Sequence, residues 1–391
     1  MGSNLIKDLV FDRYLPGVYR HACKKDIIKG RVLFVEYRTA CVPDSFRLIL
    51  SVLRKDPAFE CRFVALDRNH SSYPEFIRKS TLLVREMAAA EVVFLSDINE
   101  VVSCVEKRPG TKVVQLWHAC GAFKKFGYST IGNEHGTDAD WIARHPLYGN
   151  LDMVTVSAPA VTDHFAEAMH LEDRKEVIRS TGVSRSDIFF KESVIRKARE
   201  KLEEVFPAAR SRKVILYAPT FRGRTPHVTT APDFDAAKLL SRLGDEYALV
   251  IKHHPLVKER EPLPEGDYLR NVFVSEGECT IEQLLCACDM VITDYSSLIF
   301  EYSLLERPMF FFAPDLEEYE KWNGFYEPYE QMVPGPVCRT MDELAGALCA
   351  FPAHYDASKA ARFKETWMGS CDGHATMRIL SELFPEKYTD C

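Results

Sequence analysis

The 391-residue chain has no apolar run able to cross a bilayer. Its longest, such as 248–251 (ALVI) and 309–313 (MFFFA), stop far short of the ~20 residues a spanning helix needs. The N-terminus lacks the apolar core and cleavage site of a signal peptide, so the expectation is a cytoplasmic chain. Positive charge is not in excess: 50 basic residues face 57 acidic ones for a net charge of -7. With no interleaving of aromatic and basic residues either, a general nucleic-acid binder drops out of the leading readings. Twelve cysteines are present, yet there is no Cys-x-x-Cys, and the nearest pair is Cys286 and Cys288. Cys61, Cys104, Cys286 and Cys349 sit in apolar runs, which points to reduced, mostly buried thiols rather than disulfides or a zinc site. No G-x-x-x-x-G-K-[ST] occurs, and no G-x-G-x-x-G follows the first strand-like run of either half, which argues against P-loop enzymes and dinucleotide dehydrogenases. No His-x-x-x-His pair or carboxylate cluster demands a metal. Asp138, Asp140 and Asp163 are scattered and read as surface residues.

What is present describes a folded, two-domain protein. Hydrophobic residues make up 46% and charged residues 27%, and the length suits two hydrophobic cores. Strand-like runs rich in Val, Ile and Phe fall at 31–38, 60–67, 91–97, 111–118 and 151–157, separated by helical stretches such as 80–90. A charged helical segment, 191–206, interrupts the rhythm, which then restarts at 213–221, 247–254, 271–275, 289–295 and 308–313. Apolar strands alternating with helices predict parallel sheets covered on both faces. Two such open α/β units in succession imply a cleft between them, with ligands at the carboxyl ends of the strands. His118, Thr220, His254 and Asp294 stand at those ends.

The first 31 residues differ from the rest, with seven basic residues against three acidic ones. Leu5, Ile6, Leu9 and Val10 share one helical face, and Pro16-Gly17 is expected to end the pattern. Two readings follow: a helix packed on the first domain, or an interfacial helix presenting cations to anionic lipid head groups.

Three constellations carry candidate chemistry. In Gln115-Leu-Trp-His-Ala-Cys-Gly-Ala-Phe-Lys-Lys-Phe-Gly127, a strand delivers Trp117 and His118 to its end, and Lys124 and Lys125 follow the turn. An imidazole can take a proton from a hydroxyl nucleophile near neutral pH, and two lysines suit an anionic substrate. The second set pairs Leu216-Tyr-Ala-Pro-Thr-Phe-Arg222 with Lys252-His-His-Pro255. Arg222 and the histidines at neighbouring strand ends suit a phosphate undergoing in-line displacement. In the third, Asp294-Tyr-Ser-Ser-Leu-Ile-Phe-Glu301, a buried strand runs into Ser296 and Ser297. That is a capped helix start, and also a place for an anion, with Glu301 a turn further on for ribose hydroxyls.

In this order the three sets resemble the glycerophosphotransferases that use CDP-glycerol to build wall teichoic acids. The resemblance runs from about residue 113 to residue 373. It includes Gly182-Val-Ser-Arg-Ser-Asp187, Tyr217-Ala-Pro-Thr220, His254-Pro255, Asp294-Tyr-Ser-Ser297, Glu301, Arg307-Pro308 and Asp372-Gly373. The Trp117-His-Ala-Cys-Gly segment looks like the primase branch, since the polymerases more often read Trp-His-Gly-Thr-Pro there, and a long N-terminal extension is missing. Ser184 stands where the family has Pro before Arg185.

The resemblance implies a GT-B-type α/β fold. A basic segment (1–30) precedes an acceptor-binding Rossmann-like domain (31–188) and a CDP-glycerol-binding one (189–359), and a C-terminal helical tail (360–391) crosses back to the first. It further implies transfer of glycerol phosphate to a hydroxyl of an undecaprenyl-diphosphate-linked disaccharide (ManNAc-GlcNAc), releasing CMP, by a peripheral enzyme on the cytoplasmic membrane face. His118 and His254 are then the catalytic residues. Thr220, Arg222, Ser296, Ser297, Glu301 and Arg185 bind the donor; Trp117, Lys124 and Lys125 bind the acceptor. No cofactor and no metal is expected beyond the substrate CDP-glycerol. A polymerase, a CDP-ribitol donor and a non-catalytic nucleotide-binding module remain as alternatives.

Overall fold

The apolar runs of the first half lie side by side in a computed structural model that describes residues 2–133, 139–224, 227–258, 260 and 263–388. They form β1 (Arg31–Glu36), β2 (Glu60–Ala65), β3 (Val92–Leu95), β4 (Lys112–Gln115), β5 (Met153–Thr155) and β6 (Ile178–Arg179). All pair in parallel in the order β2-β1-β3-β4-β5-β6, with Val32 opposite Cys61 on one side and Val92 on the other. The second half gives β7 (Lys213–Tyr217), a short antiparallel hairpin of β8 (Arg222–Arg224) and β9 (His227–Thr229), then β10 (Tyr247–Ile251), β11 (Val272–Val274), β12 (Met290–Thr293), β13 (Met309–Phe312) and β14 (Val337–Cys338). Its parallel sheet runs β11-β10-β7-β12-β13-β14. The two-residue edge strands β6 and β14 and the hairpin carry too little apolar pattern to be visible in the sequence.

The chain divides into two compact units. The first comprises 1–120, 126–187 and 369–391; the second comprises 121–125 and 188–368. The first core packs Val32, Phe34, Phe94 and Val114 of the sheet with Phe46 and Ile49 of the helix Asp44–Leu53 and with Ile379, Leu380 and Leu383 of the helix Ala375–Leu383. The second packs Ile215, Leu249, Ile292 and Phe310 against Leu239 and Leu344. Each such fully buried side chain contributes about 1.5–3 kcal/mol.

The helical tail expected over 360–391 is two helices. Ala357–Met368 belongs to the second unit, and only Ala375–Leu383 belongs to the first. The start of the latter is clasped by the segment 182–187. Asp187 accepts hydrogen bonds from the amides of Ala375 (3.0 Å) and Thr376 (2.8 Å), and Ser184 Oγ lies 2.9 Å from Thr376 Oγ1. Gly182 has φ +78°, and a Cβ there would collide with the Ser370 carbonyl, so the turn requires glycine.

The N-terminal segment is helical from Gly2 to Ala22, with a π-helical turn at Val10–Tyr14. Pro16 does not end it. It stands in the first turn of the helix Leu15–Ala22, where a missing N–H is tolerated beside the widened turn. Phe11, Leu15 and Tyr19 are buried against the first unit, while Ile6 and Leu9 are 55% and 57% exposed. The apolar face read from the sequence is thus split, with Val10 turned inward.

Candidate active site

In the first unit, β4 ends at the buried Gln115, whose side chain fixes the following turn. Its amide donates to the Asp97 carbonyl (3.0 Å), and its oxygen accepts from the Trp117 amide (3.1 Å). Trp117 adopts φ +59°, an uncommon conformation for a bulky residue, held by packing of its ring on Phe126 (4.8 Å) and Phe165 (6.3 Å). This turn presents His118, 42% exposed, with Nδ1 3.3 Å from the Ser96 carbonyl and 3.7 Å from Asp97 Oδ2. A carbonyl can only accept, so Nδ1 carries the proton and the Nε2 lone pair is left available. Desolvation lowers the His118 pKa below the ordinary histidine value; Asp97 opposes this and Arg38 adds to it. A pKa below 6.5 leaves the ring neutral at pH 7. Arg38 pairs with Asp97, and Glu36 accepts from Ser96 and from the amides of Arg38 (2.9 Å) and Thr39 (3.2 Å), bracing the loop that holds the imidazole.

The second unit assembles a charged cluster at the ends of β7, β10 and β12. Asp294 Oδ1 accepts from the amides of Thr220 (2.7 Å) and Tyr295 (2.6 Å), tying two strand ends together. Arg222 donates to both oxygens of Asp315 (2.6 and 2.9 Å) and to the Thr220 carbonyl (2.7 Å), and its Nη2 lies 2.9 Å from Asp294 Oδ2. Its guanidinium also covers the rings of Tyr295 (4.8 Å) and Tyr319 (5.0 Å). His254 accepts the Leu256 amide at Nδ1 (3.2 Å), which puts its proton on Nε2. Burial first, and Lys124 second, lower its pKa to about 4. The two imidazoles are therefore both neutral at pH 7 and of opposite tautomer: His118 offers an Nε2 lone pair, and His254 offers an Nε2–H.

Lys124 and Lys125 were expected on the first domain. The segment 121–125 instead belongs to the second unit. Lys124 bridges to Phe325, the Lys125 amide donates to the Gly324 carbonyl (3.1 Å), and the Tyr326 amide donates to the Phe123 carbonyl (3.2 Å). Phe123 packs on Phe325 (5.3 Å) and Tyr329 (5.7 Å). Gly121, at φ +65°, passes so close to the Phe300 ring that any side chain would collide with it. A five-residue excursion anchored by one phenylalanine leaves no periodic signal in the sequence. The Lys124 ammonium lies 6.0 Å over the Tyr319 ring. Burial pushes its pKa down to about 8, with Asp294 opposing and Arg222 adding to the shift.

Arg185, grouped with the donor residues by the resemblance, lies in the first unit and donates to the His118 carbonyl. Ser296 and Ser297 directly follow the Asp294 turn and are half-buried, and Glu301 is only 4% exposed. Asp138 lies outside the described residues, Asp140 is exposed, and Asp163 pairs with Lys175 (2.8 Å). Among the described residues, one group offers metal-ligand atoms within 4.8 Å of one another: Asp8, Asp12 and His145, where Arg144 already pairs with Asp8 (3.0 Å). Sequence reasoning missed Arg38, Asp97, Asp315 and Tyr319. The end of the 91–97 run and the residues just past 308–313 were the available signals for Asp97 and Asp315.

Two open parallel sheets, each with polar residues gathered at the strand ends, define a two-unit α/β protein. The chain belongs to the CDP-glycerol:poly(glycerophosphate) glycerophosphotransferase family, whose sequence model matches residues 18–385. It is thus an enzyme of the teichoic acid primase and polymerase family, which transfers a polyol phosphate from a CDP-alcohol. It is 34% identical over 353 residues to the teichoic acid ribitol-phosphate primase of Bacillus spizizenii, covering 89% of each chain. To the teichoic acid glycerol-phosphate primase of Bacillus subtilis it is 30% identical over 296 residues, 75% of this chain and 74% of that one. Its fold is similar to that of the wall teichoic acid polymerase TagF, with a TM-score of 0.77 at 21% identity, covering 97% of this chain and 95% of the other.

Proposed function

We propose that the enzyme catalyses a priming step: transfer of one polyol phosphate from a CDP-polyol to a hydroxyl of an undecaprenyl-diphosphate-linked disaccharide, releasing CMP. Support for priming comes from the similarity to a primase over 89% of both chains. Ribitol is the first reading for the polyol, because the ribitol-phosphate primase is the more similar of the two primases named above, in both identity and span. Glycerol, expected from the resemblance to the CDP-glycerol transferases, is the second.

The opposite tautomers of two neutral imidazoles carry the chemistry. His118 takes the acceptor hydroxyl's proton at Nε2, and the resulting imidazolium is stabilised through Nδ1 by the Ser96 carbonyl and Asp97. The oxygen attacks the phosphorus bearing the polyol, the bond to the bridging oxygen breaks, and CMP leaves. His254 Nε2–H and the Ser296 and Ser297 hydroxyls donate to the phosphate oxygens. Glu301 meets the ribose. Arg222 shapes the donor side by holding Asp294 and Asp315, Trp117 and Arg185 position His118, and Lys125 serves the acceptor. Protein groups supply the positive field, so turnover should persist in EDTA.

A peripheral position on the cytoplasmic membrane face fits the exposed Ile6 and Leu9. It also fits a cavity of about 820 Å³ lined by Arg13, Lys24, Lys25, Arg31 and Arg85 with no acidic residue. No helix among the described residues is long and apolar enough to cross a membrane.

The experiment is CMP release with the disaccharide lipid and either CDP-ribitol or CDP-glycerol. A kcat/KM at least tenfold higher for CDP-ribitol is expected. The reverse preference installs the glycerol reading, and release from neither refutes the transfer.

A further inference from the structure

A phosphate group bound at the strand ends of the second unit needs a cation that is not already neutralised. Arg222, the obvious candidate from the sequence, does not meet that need. Three of its N–H groups donate to Asp315 and the Thr220 carbonyl, and its Nη2 is also in contact with Asp294. One guanidinium between two carboxylates leaves the cluster with no net positive charge from these three residues. His254 is neutral and adds a hydrogen-bond donor but no charge.

Lys124 is different. Among the described residues its ammonium makes no hydrogen bond or ion pair, and it lies over the face of Tyr319, near enough to Asp294, Arg222 and His254 to feel their fields. The backbone around it is fixed by the pairing of 123–125 with 324–326 and by the burial of Phe123, so the lysine is held at the cluster rather than free to leave it. Close by, Thr220 is 6% exposed and its hydroxyl has no partner, although its amide and carbonyl are both engaged. An unpaired ammonium, a free imidazole N–H and an unsatisfied buried hydroxyl form a set of donors lacking an acceptor.

We propose that Lys124, with His254 and Thr220, binds the diphosphate of the CDP-polyol donor, so that Lys124 is a donor-side and not an acceptor-side residue. This rests on the transfer reading above. The groups facing Lys124 are Asp294, Arg222, His254 and Tyr319; burial holds His254 neutral, at about 4, and pushes the Tyr319 hydroxyl up, away from this range. Its lowered pKa therefore adds a consequence: donor affinity is full below about pH 8 and falls as the pH rises through it.

The test is calorimetric binding of CDP-ribitol, CDP-glycerol and cytidine to the full chain and to Lys124→Met, Lys124→Arg and Lys125→Met. Lys124→Met should weaken CDP-polyol binding by about 10- to 100-fold, the worth of a charge-assisted hydrogen bond, and leave cytidine binding unchanged. Unchanged cytidine binding also reports that the variant is folded. Wild-type affinity should decline between pH 7 and 9.5, whereas Lys124→Arg, charged throughout, should show no decline. Wild-type donor affinity in Lys124→Met with a raised acceptor KM overturns the proposal and returns Lys124 to the acceptor. A decline with pH that persists in Lys124→Arg overturns it as well. Failure of the wild-type chain to bind either CDP-polyol would instead remove the transfer reading itself.

Discussion

At the scale of single residues, the orientation of each imidazole is set by one backbone group: the Ser96 carbonyl for His118 and the Leu256 amide for His254. Replacing His118 by Ala removes the general base and should lower CMP release by about 10²–10⁴-fold with donor binding intact. Near-normal turnover by that variant would end the assignment. Because the pKa of His118 lies below the ordinary value of 6.5, the base is lost to protonation only on the acid side of that value. Both histidines were legible in the sequence, because His-at-strand-end is a positional signal. Their tautomers were not, since backbone groups of Ser96 and Leu256 set them, nor was the saturation of Arg222, whose partners Asp294 and Asp315 lie 72 and 93 residues away.

At the scale of elements, the ten strand-like runs of the sequence all became strands, because the inner strands of a parallel sheet, covered on both faces, are nearly continuously apolar. What escaped were features that two or three residues decide. The excursion 121–125 depends on Phe123 and on Gly121, and the passage of the N-terminal helix through Pro16 depends on a π-helical turn. The clasp on the helix Ala375–Leu383 is similar, with one buried carboxylate, Asp187, accepting two amides nearly two hundred residues away. Asp187→Ala strands both donors and should destabilise the first unit by about 1–3 kcal/mol per donor, read from chemical denaturation. Asp187→Asn keeps one acceptor and should cost less; equal stability of both variants with the wild type would show that the clasp contributes nothing.

At the scale of the whole molecule, each unit carries its own share of the chemistry. In the proposed mechanism the first holds the proton acceptor, His118, and the second holds the hydrogen-bond donors Lys124, Thr220 and His254. The basic cavity along the N-terminal helix belongs to the first unit, and its cations Arg13, Lys24, Lys25 and Arg85 have no ion-pair partner among the described residues. Cosedimentation with vesicles should therefore rise with the fraction of anionic lipid and fall with salt, and a Lys24→Gln/Lys25→Gln variant should bind several-fold less while keeping its turnover on a soluble acceptor. Binding indifferent to lipid charge would refute that role for the cavity.

The most direct test of the central claim is the mass of the lipid product after exhaustive reaction of a disaccharide-diphosphate lipid with excess CDP-ribitol or CDP-glycerol. The account predicts a single product heavier than the acceptor by one polyol phosphate, matched by one CMP per acceptor consumed. A ladder of products would contradict priming and make the chain an extending enzyme, and an unmodified acceptor with both donors would contradict the transfer.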